Sequence, residues 1–288
     1  MERVIGSRNA LPPYFWLGAA LAAFFWFASW TRLEILGAYA FFPQWLGYIL
    51  AVDALVAWRK GASLLTRAPR ELIARFILSA PIWWVFEGLN NFVLNWHYVG
   101  AENYSLPQII AQATINFATV IPAVFETTEL ISTFSFLERF RARRRVAFSA
   151  RALWVTMYVG AFAFGAVVIA PQISFPLTWV WLFLLVDPLN ALRGRAALIA
   201  QVARGEWRMV IALAVAGGVC GFFWELWNFY ALPKWYYTVP VFGFAKIFEM
   251  PLLGYFGYVP FAWELYALYQ LVWGVLKRKS LFGMQESE

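Results

Sequence analysis

Long apolar runs, broken at fairly even intervals by short clusters of Arg, Lys, Pro and Gly, extend along almost the whole chain. A membrane-crossing helix needs about 20 predominantly apolar residues, rising about 1.5 Å each, to span a hydrocarbon core of about 30 Å. Eight stretches reach that length, approximately 13–31, 36–58, 72–94, 107–133, 151–170, 173–192, 209–231 and 252–276. The pattern predicts an all-α fold, a polytopic membrane helix bundle of about eight transmembrane helices.

Composition agrees. The chain is 62% hydrophobic and 14% charged, against about 45–50% and about 25% in ordinary soluble domains, so the bilayer is its natural solvent. The first apolar run, Tyr14 to Trp30, is long, aromatic and followed by Thr31-Arg32 rather than a small-residue cleavage site. It reads as a first span and not as a cleaved secretory signal.

Charge adds an orientation. A cytoplasmic N-terminus puts 20 of the 23 Lys and Arg on the cytoplasmic side, leaving Arg32, Lys234 and Lys246 opposite. The positive-inside rule then predicts a multi-pass protein with both termini in the cytoplasm, in what is expected to be a bacterial cell membrane. The net charge of +7 and the run Arg139 to Arg145 suit anionic lipid headgroups beside a membrane rather than nucleic acid. The sole cysteine, Cys220, permits neither an intrachain disulfide nor a cysteine metal site.

The chain also echoes itself. Trp45 to Arg59, with Asp53, resembles Trp179 to Arg193, with Asp187, at an offset of 134 residues. Trp84-Val-Phe-Glu87-Gly-Leu-Asn90 resembles Phe222-Phe-Trp-Glu225-Leu-Trp-Asn228, and Pro122 to Glu126 resembles Pro260 to Glu264, both at 138. These echoes predict a four-helix repeat at 1–138, a basic cytoplasmic linker at 139–150, a second four-helix repeat at 151–280 and a short tail at 281–288. Four spans per unit make the two repeats parallel, about an axis along the membrane normal.

Ionisable residues inside the apolar runs are the candidate chemistry, because a charge at mid-bilayer costs at least about 2.5–3.5 kcal/mol. Glu87, Glu126, Glu225 and Glu264 each fall within a span, with Glu87 and Glu126 at similar depths. Asn90 and Asn228 stand three residues after Glu87 and Glu225, on the same helix face. Gln112, Asn116, Thr119 and Glu126 form one polar stripe, where the second unit has Met250, Gly254, Gly257 and Glu264. Trp83, Trp84, Trp224, Trp227 and Trp263 flank the glutamates. The four glutamates are candidate acid–base groups, with Asn90, Gln112, Asn116, Asn228, Trp84, Trp224 and Trp263 as candidate substrate contacts. The competing reading is that these carboxyls and amides merely hold helices together. Asp53 and Asp187, close to Arg59 and Arg193, read as structural partners of water or guanidinium groups, and His97 as an interfacial residue. No phosphate-binding loop, catalytic triad order or zinc motif occurs, so no cofactor and no metal are expected.

Glu225-Leu-Trp-Asn228, Trp235-Tyr-Tyr237 and Val259-Pro-Phe-Ala-Trp-Glu264 together resemble the integral-membrane lycopene cyclases and related carotenoid hydratases, and the Trp-Glu elements resemble membrane terpene cyclases. The first unit carries a looser version in Glu87, Trp96, Tyr98, Pro122 and Glu126. Here a single Glu follows the proline by four residues, where lycopene cyclases carry an acidic pair almost directly after it. The resemblance implies acid catalysis on a polyene or prenyl lipid, in which one carboxyl protonates a double bond, aromatics shield the cation and another carboxylate removes a proton. Membrane lipids and a hydrophobic isoprenoid substrate are the expected partners, and nucleic acid is not. A transporter or proton-coupled channel using the same carboxyls, and a non-catalytic membrane scaffold, are the alternatives.

Overall fold

A computed structural model describes residues 10–239 and 243–285, with 277–285 as backbone only. Arg3, Arg8, the side chains of Lys277, Arg278 and Lys279, and residues 286–288 lie outside the described residues. Helix makes up 73% of the structure, which places it in the all-α class. The first half runs α1 (Tyr14–Trp30), α2 (Glu34–Ala38), α3 (Phe41–Lys60), α4 (Leu64–Arg67), α5 (Pro69–Val93), β1 (Trp96–Val99), α6 (Leu106–Phe117) and α7 (Val120–Ile131). The second half runs α8 (Ala150–Ile169), α9 (Pro171–Ser174), α10 (Trp181–Leu192), α11 (Leu198–Ala203), α12 (Arg208–Asn228), β2 (Lys234–Tyr237), β3 (Lys246–Ile247), β4 (Met250–Pro251) and α13 (Tyr258–Gln285).

Five segments are long and apolar enough to cross a membrane: α3, α5, α6 with α7, α8 and α12. A sixth is reached by joining α9 and the 3-10 turn after it to α10 across a 41° bend. Exposure runs opposite to that of a soluble helix. Tyr158, Phe162 and Ile169 of α8 are 69%, 78% and 84% exposed, a face that suits lipid and not water. Two boundaries differ from the expected ones. The stretch predicted to begin at 252 enters as a 3-10 turn, Leu252–Gly257, and the expected tail at 281–288 is helical as far as Gln285.

Without a hydrophobic drive between helices in lipid, close packing must come from small residues. Gly18 of α1 faces Gly47 O and Ala51 N of α3, and a Cβ on Gly18 would lie 2.7 Å from both. Gly160 of α8 sits in the same way against Trp181 O and Leu185 N of α10, at 2.9 and 2.8 Å. Residues 47 and 51 and residues 181 and 185 stand 134 apart, the offset of the first sequence echo.

Both membrane aspartates are fully buried, and neither meets a guanidinium among the described residues, contrary to the pairing expected of them. Each holds the start of a short helix instead. Asp53 accepts from Leu65 N (3.0 Å), Ser63 Oγ (2.6 Å) and the Tyr14 hydroxyl (2.8 Å), fixing α4. Asp187 accepts from Leu198 N and Ile199 N, both at 2.8 Å, fixing α11. The first backbone N–H groups of a helix have no intrahelical acceptor, and a carboxylate supplies one.

Arginines tie the loops together at one end of the bundle. Arg67 grips Glu129 through two bonds of 2.7 and 2.6 Å, Arg59 donates to Thr133, and Arg208 donates to Glu138 at 2.9 Å. At the opposite end β1 pairs antiparallel with β2, His97 opposite Tyr236, Trp96 opposite Tyr237 and Tyr98 opposite Trp235. The two halves therefore meet in a two-stranded ribbon whose register is symmetric about its centre.

The glycine contact is directly testable. A Cβ on Gly47 would lie 2.5 Å from Ala22 N, so Gly47→Val is expected to cost about 1–3 kcal/mol by overpacking and to lower the thermal midpoint in detergent. Gly218→Ala, where nothing among the described residues lies within 4 Å, is expected to leave that midpoint unchanged.

Candidate functional site

The site is built from two helix ends. Helix α5 stops at Leu94, which adopts a left-handed conformation (φ 50°), and the chain then turns back. Asn90 takes over the hydrogen bonds the missing turn would have made. Its Oδ1 accepts from Asn95 N (3.0 Å) and Trp96 N (3.3 Å), and its Nδ2 donates to Trp96 O (2.7 Å). Asn228 does the same at the end of α12, accepting from Trp235 N (2.9 Å) and donating to Trp235 O (2.7 Å). Both asparagines thus act on the backbone.

That fold-back lands the strand's side chains on the glutamate one turn earlier. Glu87 Oε1 accepts from Trp96 Nε1 (3.2 Å), the Tyr98 hydroxyl (2.5 Å) and Trp83 Nε1 (2.9 Å). Glu225 Oε1 accepts from Trp235 Nε1 (3.5 Å), the Tyr237 hydroxyl (2.7 Å) and the Tyr258 hydroxyl (2.6 Å). Each Glu-x-x-Asn pair is therefore one device, in which the asparagine shapes the turn and the turn delivers Trp-x-Tyr to the carboxyl.

Between the two devices lies a cavity of about 1060 Å³, at the upper end of the about 300–1,000 Å³ usual for ligand pockets. Glu87 is on its wall, together with Trp84, Gln112, Asn116, Trp224 and Asn228. Trp83, Phe117, Trp179, Trp227 and Phe261 complete an aromatic lining drawn from both halves. Phe261, 1% exposed, is its hub, with ring centroids 5.6 Å from Trp83, 5.8 Å from Trp179 and 6.1 Å from Trp224. Leu106, Ile110, Leu253 and Phe256 line the cavity and are also surface-exposed, so its rim is apolar. Glu102 and Lys234 add charge to the lining. The Gly100 N–H, donating at 2.8 Å, holds the Glu102 carboxyl below its ordinary range.

Glu225 is fully buried directly behind this wall, and the tyrosines that bind it, Tyr237 and Tyr258, line the cavity. The other two glutamates lie elsewhere. Glu126, expected at a depth shared with Glu87, pairs with Arg75 Nη1 at 3.3 Å. Arg75 also binds Glu71 at 3.0 Å. This pair adjoins a second, polar cavity of about 500 Å³ lined by Lys60, Glu71, Arg75 and Glu129. Arg75 and Glu87 are 12 residues apart on α5, about 18 Å along the axis. Glu264 accepts from Leu182 N at 3.0 Å, satisfying the start of α10 beyond its bend. Trp263 donates to Val210 O (3.0 Å) and does not line the aromatic cavity.

The polar stripe of the fourth stretch is divided by a helix break at Ala118 and Thr119. Ser79 bridges the break, accepting from Ile121 N (3.0 Å) and donating to Phe117 O (2.5 Å). Gln112 and Asn116 stay with the cavity, while Glu126 turns into the bundle. Tyr98, Tyr237 and Tyr258 join the carboxyls without having been singled out for chemistry from sequence, although Trp-x-Tyr after each Glu-x-x-Asn was a usable signal. Among the described residues no three His, Cys, Asp or Glu side chains converge as metal ligands. The chain matches no family model, no curated protein and no solved structure.

The Arg75–Glu126 pair has a specific signature. Removing one partner of a buried ion pair costs about 3–5 kcal/mol, whereas replacing both with apolar groups is near neutral. Arg75→Met is therefore expected to destabilise the detergent-solubilised protein strongly, and Arg75→Met with Glu126→Leu to recover most of the loss in thermal midpoint.

Proposed function

We propose that the chain is an eight-span membrane protein of two parallel four-helix units with both termini cytoplasmic, and that it carries out acid–base chemistry on a polyene or prenyl lipid inside the bilayer. The observation that carries the chemical reading is Glu87. One of its oxygens is held by Trp83, Trp96 and Tyr98, and the carboxyl lies on the wall of a lipid-sized aromatic cavity. A fixed carboxyl facing an apolar ligand is equipped to exchange a proton with a carbon–carbon double bond. The indole and phenyl faces around it stabilise cationic charge by cation–π attraction. An apolar rim suits a substrate that arrives through the membrane. The cyclase and hydratase resemblance in the same Glu, Trp-x-Tyr and Pro elements supports the same class of reaction.

The two-unit reading draws support from paired contacts: the aspartate caps, the glycine crossings, the asparagine turns and the symmetric ribbon. The clustering of arginines at the end opposite the ribbon supports the orientation.

A second reading, transport, is favoured by the polar cavity at the other end of α5, since ionisable groups then line cavities at two levels along one helix. Under that reading pH-dependent flux into proteoliposomes survives Glu126→Leu with Arg75→Met less well than Glu87→Gln.

The enzyme reading is tested in a host that accumulates an acyclic C40 polyene. Expression of the wild type is expected to yield a cyclised or hydrated product at unchanged oxidation level, read by mass spectrometry. Glu87→Gln is expected to lower conversion about 100-fold or more. Equal conversion by Glu87→Gln, or an untouched polyene with only bulk phospholipid copurifying, would sink the enzyme reading.

A further inference from the structure

We propose that Tyr258, backed by Glu225, is the second proton-exchanging group of the cavity and removes a proton from the same ligand that Glu87 protonates. The inference rests on the acid–base reading of the cavity and assigns its second half.

The argument begins with a difference between the two carboxyl clamps. Each glutamate receives an indole and a phenol from its own Trp-x-Tyr strand, and each then receives a third donor. For Glu87 the third donor is Trp83, one turn back on the same helix. An indole N–H donates a hydrogen bond and has no acceptor lone pair with which to take up a proton. The position equivalent to Trp83 at the 138-residue offset is Gly221. There the third donor comes from another helix, Tyr258 at the start of α13. The absence of a side chain at Gly221 is what admits it, because a Cβ there would lie 2.2 Å from the Tyr258 ring. The residue equivalent to Tyr258 in the first half is Val120, so the phenol belongs to one half alone.

Tyr258 touches the cavity and its hydroxyl is 2.6 Å from Glu225 Oε1. A phenol both gives and accepts a proton, and here its own proton has a carboxylate to go to. Glu225 Oε2 is buried with no hydrogen-bond partner among the described residues, which leaves the carboxyl capacity to hold that proton. Between Glu87 and Tyr258 the cavity floor is continuous aromatic surface. Trp83, which binds Glu87, is followed by Phe261, Trp224 and Tyr258, with successive ring centroids 5.6, 6.1 and 5.9 Å apart. Cationic charge formed on a polyene at the Glu87 end is delocalised along the ligand's own conjugated carbons toward Tyr258, and stays in contact with π faces that stabilise it.

The steps balance. The Glu87 O–H bond breaks as a C–H bond forms on the alkene, leaving a Glu87 carboxylate and a carbocation. A C–H bond next to the cationic carbon then breaks, and its electron pair forms the new C=C. The released proton goes to Tyr258 Oη while the phenol's proton passes to Glu225 Oε1. The proton returns from Glu225 to the Tyr258 hydroxyl as that hydroxyl gives its own proton to water in the cavity, and the water delivers a proton to Glu87. The product is an isomer of the substrate, with nothing oxidised or reduced. Tyr258 is the catalytic residue of this half-reaction, and Glu225, acting through it, is a positioning residue.

The test uses full-length protein in proteoliposomes, an acyclic C40 polyene as probe and D2O as solvent, with products read by mass spectrometry. Wild type is expected to give an alkene carrying one deuterium. Without the phenol, the cation persists until water captures it. Tyr258→Phe is therefore expected to give at least tenfold less alkene and to raise the deuterated alcohol correspondingly. Gly221→Ala, which displaces the Tyr258 ring, is expected to shift the ratio in the same direction. A Tyr258→Phe variant with the wild-type rate and alkene-to-alcohol ratio overturns this inference while leaving Glu87 chemistry standing. So does equal loss of both products, which assigns Tyr258 a structural role, or a wild type that makes only the alcohol. A wild type that leaves the probe unchanged overturns the acid–base reading and this inference together.

Discussion

A helix that ends inside an apolar medium strands backbone N–H and C=O groups that water cannot reach, and each stranded group costs several kcal/mol. In this protein the answer at two decisive places is an asparagine in the last turn of its helix. Asn90 and Asn228 each bind both the N–H and the C=O of a tryptophan in the returning strand, Trp96 and Trp235. The strand is then committed to run back over its own helix, and its Trp and Tyr fall within reach of the glutamate three residues before the asparagine. The ribbon between the halves, the two carboxyl clamps and the cavity between them all depend on this one bond pattern. An alanine in place of either asparagine would remove the reason for the chain to turn where it does.

The same accounting explains why four glutamates in similar sequence surroundings end in four situations. Glu264 answers a helix start, because the bend before α10 leaves Leu182 N without an intrahelical acceptor. The first half has no such bend at α3, and Glu126 instead neutralises Arg75. Glu225 is closed in by three donors and fully buried, whereas Glu87, held by three donors of its own, keeps contact with the cavity. Aspartates 53 and 187, by contrast, meet the same local demand in both halves and do the same thing. Where the backbone geometry is alike the side chain's role is alike, and where it diverges the freed carboxyl takes whatever partner the new geometry offers.

Much of this was legible in order of locality. Apolar run length located the helices, and the echoes marked Asp53 with Asp187 and Asn90 with Asn228, which make like contacts, but also Glu126 with Glu264, which do not. The Glu-x-x-Asn spacing correctly put both side chains on one face, but not that the amide would serve the backbone. Three features escaped for physical reasons. Arg75, counted with the basic loop charges, is drawn inward because a long side chain can reach a buried carboxylate from near a helix start. That Trp96-x-Tyr98 and Trp235-x-Tyr237, matching elements in the sequence, would bind the preceding carboxyls depends on the fold-back set by each asparagine, which spacing alone does not show. The exchange of Trp83 for Gly221 and Tyr258 joins positions 37 residues apart, which no local pattern connects.

That last exchange bears on why a chain with two similar halves carries dissimilar sites. A cavity on a symmetric axis presents a ligand with two identical groups, told apart only by which of them holds the proton. In this chain the two carboxyls also differ in what stands between them and the cavity. Here the difference is one helix turn: an indole beside Glu87, and a glycine beside Glu225 with a phenol filling the space from another helix. The polar lining follows the same division, with Gln112 and Asn116 on the first-half side of the cavity facing Met250 and Gly254 in the equivalent positions of the second. The asparagine turns hold the two clamps in register, and the substitutions around them make the clamps unequal. Two similar helix-end frames thus enclose one cavity whose two sides carry different chemical groups.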